Sequence, residues 1–127
     1  MQGKHFYEYA VIRVVPRVER EEFLNVGLIM YSRRDKYLNV RYNVDASKMS
    51  LFSTELDIDS LNEYLLAFDK ICSGSKEGGA IASFEIAERF RWLTAVRSAS
   101  LQTSVARSGF SDNLEETFNE LYQELVM

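Results

Sequence analysis

The sequence predicts an α+β domain, a three- or four-stranded, mainly antiparallel sheet with helices packed on one face. Three observations predict it. Short runs dense in Val, Ile and Tyr occupy the N-terminal third, apolar residues recur at helical spacing after about residue 60, and strands come first rather than alternating with helices. A chain of 127 residues has room for one hydrophobic core, so residues 1–127 form a single domain.

The first three elements read as strands. Residues 7–15 (YEYAVIRVV) and 25–31 (NVGLIMY) are rich in strand formers, and residues 37–42 (YLNVRY) alternate Leu38, Val40 and Tyr42 with Asn39 and Arg41. Residues 32–36 (SRRDK) make a polar link of hairpin length. Residues 16–22 (PRVEREE) make a longer one, opened by the single proline, which ends the first strand by removing a donor. Gly27 inside the second strand marks a bulge or a close approach of backbone.

Helical periods follow. Ser60 and Glu63 read as a capping box before Leu61, Tyr64, Leu65, Phe68, Ile71 and Cys72, with Gly74 as the stop. A flexible link at 73–79 (SGSKEGG) leads to a second helix over 84–95, carrying Phe84, Ala87, Phe90, Trp92 and Leu93. Residues 100–105 (SLQTSV) have strand composition, and Gly109 reads as a turn. A last helix starts at Asp112, with Leu114, Phe118, Leu121, Tyr122 and Leu125 on one face and Glu115, Glu116, Asn119, Glu120 and Glu124 on the other. That acidic face is a solvated surface or a docking face for a basic partner.

Composition limits the function classes. The net charge of −4 and the pI near 5.1 argue against nucleic acid as a partner. No run approaches the roughly 20 apolar residues of a spanning helix. The single Cys72 and the lack of a leading apolar segment point to a cytoplasmic protein without disulfides. Charge is uneven, however: residues 1–50 carry nine Lys or Arg against six acids, and residues 51–127 carry six against thirteen. Arg89, Arg91, Arg97 and Arg107 lie in an acid-free stretch, where they either pair with the protein's own acids or form a site for an anion or an acidic partner.

Catalytic constellations are missing from the sequence. His5 is the single histidine and stands near the N-terminus, so neither a Ser-His-Asp arrangement nor a zinc site is expected. Cys72 sits on an apolar helical face and reads as inert core. No phosphate-loop or dinucleotide fingerprint occurs, and the expectation is no cofactor, no metal and no catalytic residue.

Two segments carry a resemblance. Residues 9–31 (YAVIRVVPRVEREEFLNVGLIMY) and 88–109 (ERFRWLTAVRSASLQTSVARSG) resemble the bacterial domain of unknown function 3037 family, a likeness that runs from about Tyr7 to Leu125. The family has no established activity, and the resemblance implies work beside a HipA-like kinase-fold protein. The motif positions here are Arg13, Arg17, Glu19, Arg20, Glu22, Asn25 and Gly27 in the first segment, and Arg89, Arg97, Ser98 and Gln102 in the second. With Arg107, the polar ones among them (Arg13, Arg17, Arg20, Asn25, Arg89, Arg97, Ser98, Gln102) are the candidates for binding an anion or a partner. The opposing reading is internal pairing of Arg20 and Arg97 with Glu19, Glu22 or Glu88.

The functional expectation is a non-catalytic protein-binding or accessory module. The alternative is a small-anion or nucleotide-binding domain, or a weak phosphate-ester enzyme, built on the arginine motifs. Sixteen aromatic residues exceed what one small core can hide, which predicts a homodimer or a heteromeric complex. The strand at 37–42 is expected to be an edge guarded by Arg33, Arg34 and Arg41.

Overall fold

A computed structural model describes residues 5–15, 22–45, 47–48, 58–95 and 101–127. Its strands are β1 (His5–Val14), β2 (Leu24–Ser32), β3 (Tyr37–Tyr42), β4 (Leu101–Thr103) and β5 (Arg107–Ser111). Its α-helices are α1 (Ile58–Ser73), α2 (Ile86–Leu93) and α3 (Leu114–Leu125). The sheet is antiparallel and runs β3-β2-β1, with β4 and β5 placed end to end along the other side of β1. The α+β class and the antiparallel sheet are those the sequence predicts. Among the described residues the sheet has five strands, one more than the sequence suggested.

The second difference is that helices cover both faces. Ala10, Ile12 and Val14 of β1 pack with Leu61, Leu65 and Phe68 of α1 and with Phe90 and Leu93 of α2, which defines the front face. Tyr7 and Tyr9 lie on the back face, where Leu28 and Met30 of β2 meet Leu114, Phe118 and Tyr122 of α3. The physical reason lies in β2. Val26 to Tyr31 are buried at both parities, as a strand covered on two sides requires, and one helical layer cannot bury both sets.

Among the described residues two bulges shape the sheet. Between Ile12 and Arg13 the β1–β2 register shifts, so Val26 is an extra residue in β2 beside Gly27. Gly27 is also a close approach: a Cβ there would stand 2.8 Å from the Arg41 carbonyl oxygen and 3.2 Å from Ile12 Cδ1. The other bulge separates β4 from β5. Ser104 satisfies Val11 twice, its N–H donating to the Val11 carbonyl at 2.8 Å and its Oγ accepting from the Val11 N–H at 2.9 Å.

Element ends differ locally from the sequence reading. Helix α1 has already begun at Ile58, so Ser60 lies inside it and is not its cap. Gly74 does stop α1, at φ +75°, with Ser75 N–H reaching the Lys70 carbonyl and Gly74 N–H the Ile71 carbonyl, a Schellman closure. The link after it is folded, with short 3-10 turns at Lys76–Gly78 and Ile81–Ser83. Helix α2 is shorter than predicted, and Phe84 precedes it. Asn113, not Asp112, caps α3, its Oδ1 accepting from Glu116 N–H at 3.1 Å. Gly109 is a strand residue in β5, since β1 is long enough to offer it a ladder. Among the described residues, no helix is long and apolar enough to cross a membrane.

Candidate functional site

Of the nine candidates, Arg17, Arg20, Arg97 and Ser98 lie outside the described residues. The other five do not all converge: Arg13, Asn25 and Gln102 are neighbours, and Arg89 and Arg107 stand apart from them. Arg89 leaves α2 toward the end of α1, where its Nη1 donates to the carbonyls of Ile71 at 3.2 Å and Cys72 at 3.0 Å. It thereby places a cation on the negative end of the α1 dipole. A Cβ at Gly74 would lie 2.8 Å from that nitrogen, so the glycine both closes the helix and leaves space for the guanidinium. Asn25 serves α3 in the same way, its Nδ2 donating to the Leu125 carbonyl at 3.1 Å.

Arg13 is in register with Asn25 on one side and Gln102 on the other, so these three motif residues form a row across β2, β1 and β4 on the back face. The Arg13 guanidinium lies over the Phe23 ring, 4.1 Å from its centroid. Its Nε and the Asn25 Oδ1 are buried without hydrogen-bond partners among the described residues. Arg107 stands opposite Tyr9, four positions along β1 from Arg13, or about 13 Å at strand rise. Arg89 belongs to the front face. One shared anion pocket is therefore not formed by Arg13, Arg89 and Arg107.

The expected edge, β3, does end the sheet among the described strands. Its Arg41 is turned onto α3, donating to Asn119 Oδ1 at 2.8 Å with its guanidinium over the Phe118 and Tyr122 rings. Tyr37 Oη donates to Glu115 Oε1 at 2.8 Å, so part of the acidic face of α3 is engaged by β3. Burial, then that bond to Glu115, raises the Tyr37 pKa well above the usual phenol value.

The other edge carries an exposed aromatic pair. Among the described residues no strand pairs with the outer side of β5. Phe110 of β5 and Phe6 of β1 are register neighbours, with ring centroids 5.3 Å apart in an edge-to-face contact, and they are 65% and 47% exposed. Val105 at the bulge is 81% exposed. On the back of the same strand the Tyr7 ring lies over Gly109, where a Cβ would come within 2.8 Å of its Cζ. Arg107 is exposed beside them.

The strand turns directly into α3. Ser111 is buried, hydrogen-bonds Thr117 Oγ1 and accepts from Asn113 N–H at 2.9 Å. Asp112, Glu115 and Glu116 follow at the helix start, where the dipole favours carboxylates. Sequence reasoning singled out Arg107 here and missed Phe6, Phe110 and Tyr7. The available signal was the surplus of aromatics, which gives a number and no positions.

Burial, reinforced by Asp69, pushes the Cys72 thiol up to about 12, far from a thiolate nucleophile. His5 Nδ1 is 2.8 Å from Asp35 Oδ1, and Ser32 Oγ donates to Asp35 Oδ2 at 3.0 Å. These bonds, the one to His5 foremost, hold the Asp35 carboxyl below its ordinary range. Among the described residues no three His, Cys, Asp or Glu side chains come together to hold a metal ion.

No curated protein and no solved structure matches the chain. A family model does, over residues 9–126, a span that takes in both motif segments and every strand and helix from the middle of β1 to the end of α3. The chain belongs to the family described as protein of unknown function (DUF3037).

Proposed function

We propose that this chain is a non-catalytic protein-binding module that presents the β5 edge to a partner polypeptide. The observation that carries the reading is the exposed pair Phe6 and Phe110 beside a strand whose outer backbone groups have no partner strand among the described residues. Edge strands are a place for another chain to add hydrogen bonds, and native proteins normally blunt them with Lys, Pro or inward charge. Residues 107–111 (RSGFS) contain only Arg107 by way of guard. Two adjacent exposed phenylalanines supply the apolar anchor that interface centres favour. The HipA-like kinase-fold protein implied by the family resemblance is the first heteromeric candidate.

Site-specific photocrosslinking in the native host tests this. A crosslinking residue at Phe110 should give one or a few discrete adducts, and the same residue at Leu66, an exposed position on α1, should not. Equal labelling from both positions, or no adduct from position 110, would remove the β5 edge as the binding surface.

A further inference from the structure

We infer that the occupant of the β5 edge is a second copy of this chain, joined antiparallel about a two-fold axis through Gly109. This rests on the reading of β5 as a binding edge and adds the identity of the partner. About that axis Gly109 faces Gly109 of the second copy, Phe110 faces Ser108, and Arg107 faces Ser111. Each pair sets a larger side chain against a small one, or glycine against glycine.

Both faces of the joint are then complementary. An axis perpendicular to the sheet keeps front with front, so Phe6 and Phe110 of both copies gather on one side. The two Phe110 rings are diagonal neighbours, at the roughly 7–8 Å separation over which aromatic side chains still touch. This covers the surface that one copy leaves 65% and 47% exposed. On the back, the glycines meet beneath the Tyr7 rings, which already occupy the space above Gly109.

Charge selects this register. Within one copy, Arg107 and Ser111 lie four residues apart, about 13 Å along the strand, so Arg107 is remote from Asp112, the residue that follows Ser111. Across the axis, Arg107 lies about 5 Å from Ser111 of the second copy and beside that copy's acidic helix start. The pairing occurs twice by symmetry. The bulge at Ser104 ends the regular ladder before Val105, which limits the joint to β5 and its flanks.

Sedimentation velocity from low micromolar to millimolar protein is the test, with urea unfolding of every variant to verify the fold. The wild type should pass from monomer to dimer. Phe110→Asp should stay monomeric, and Arg107→Glu should raise the dimer Kd about tenfold, since two exposed ion pairs are lost and reversed. Combining Arg107→Glu with Glu116→Lys should restore most of the affinity. A wild type that stays monomeric at millimolar concentration overturns the inference, as does a dimer whose Kd neither Phe110→Asp nor Arg107→Glu changes. Discrete adducts from position 110 with another host protein, in a chain that never dimerises, would overturn the second copy and leave the binding-module reading standing.

Discussion

Gly27→Ala isolates the tightest point of the sheet. The added methyl would stand 2.8 Å from the Arg41 carbonyl oxygen, 3.0 Å from Tyr42 Cβ and 3.2 Å from Ile12 Cδ1, whereas ordinary contact begins at 3.4 Å. The nearest of these is backbone, so relief requires β3 to move away from β2 while Ile12 repacks on the other side. Replacing glycine inside a strand normally gains about 0.5–1 kcal/mol, because the unfolded chain loses freedom. Overpacking of a filled site costs about 1–3 kcal/mol. The second effect wins, and the expected net loss is about 1–2 kcal/mol. With a urea m-value of roughly 2 kcal/mol/M, the midpoint falls by about 0.5–1 M at unchanged slope. Ile12→Val removes the Cδ1 atom and should cost less in the Gly27→Ala background than in the wild type, a coupling of about 0.5 kcal/mol or more. A Gly27→Ala variant as stable as the wild type, or strictly additive with Ile12→Val, would refute the crowding argument.

Other outcomes follow from the same geometry. Arg89→Met keeps the aliphatic stem and removes the bonds to the Ile71 and Cys72 carbonyls, so urea unfolding should show a loss of about 1.5–3 kcal/mol. Cys72 should resist a thiol reagent at pH 8 and react only at the rate of unfolding, since its folded pKa is near 12; rapid labelling of folded protein would contradict its burial. Tyr7, Tyr31, Tyr37, Tyr42 and Tyr122 all have raised pKa values, chiefly from burial. Their contribution is complete below the unfolded value of 10 and is lost as pH rises toward the folded values, so the urea midpoint should drop steeply above pH 10. Sulfate and phosphate at matched ionic strength should leave the melting temperature unchanged, because Arg13, Arg89 and Arg107 are not gathered on one anion; a rise of several degrees would revive the anion-binding alternative.

The sequence was most legible where period and composition agreed. The strands at 7–15, 25–31 and 37–42 correspond to β1, β2 and β3 within two residues, because β-branched and aromatic runs between polar links admit few other readings. Gly74 was legible as a stop for the same local reason. Strand β5 was not, since residues 107–111 have little strand propensity and exist as a strand only because β1 offers a partner. The side of the sheet taken by α3 depended on reading 25–31 as apolar at both parities. Motif polarity has a structural side that the sequence hides: Arg89 and Asn25 read as candidates for recognition, and in space both donate to carbonyls at helix ends. Nothing in the spacing of Arg89 and Gly74 reveals that one occupies the room left by the other.

Strand β1 lies at the centre of the sheet, yet only its β2 neighbour is close in the chain. Val11 meets Ser104 across 93 positions, and Asn25 meets Leu125 across 100. During synthesis the β1–β2–β3 meander can form early, but Arg13, Leu28 and Met30 then face water until the C-terminal strands and α3 arrive. Long-range closure of this kind slows folding and makes it late. A nascent chain stalled before residue 101 would hold a half-built sheet with the β1 ladder open, the state in which chaperones or another sheet edge would compete for it.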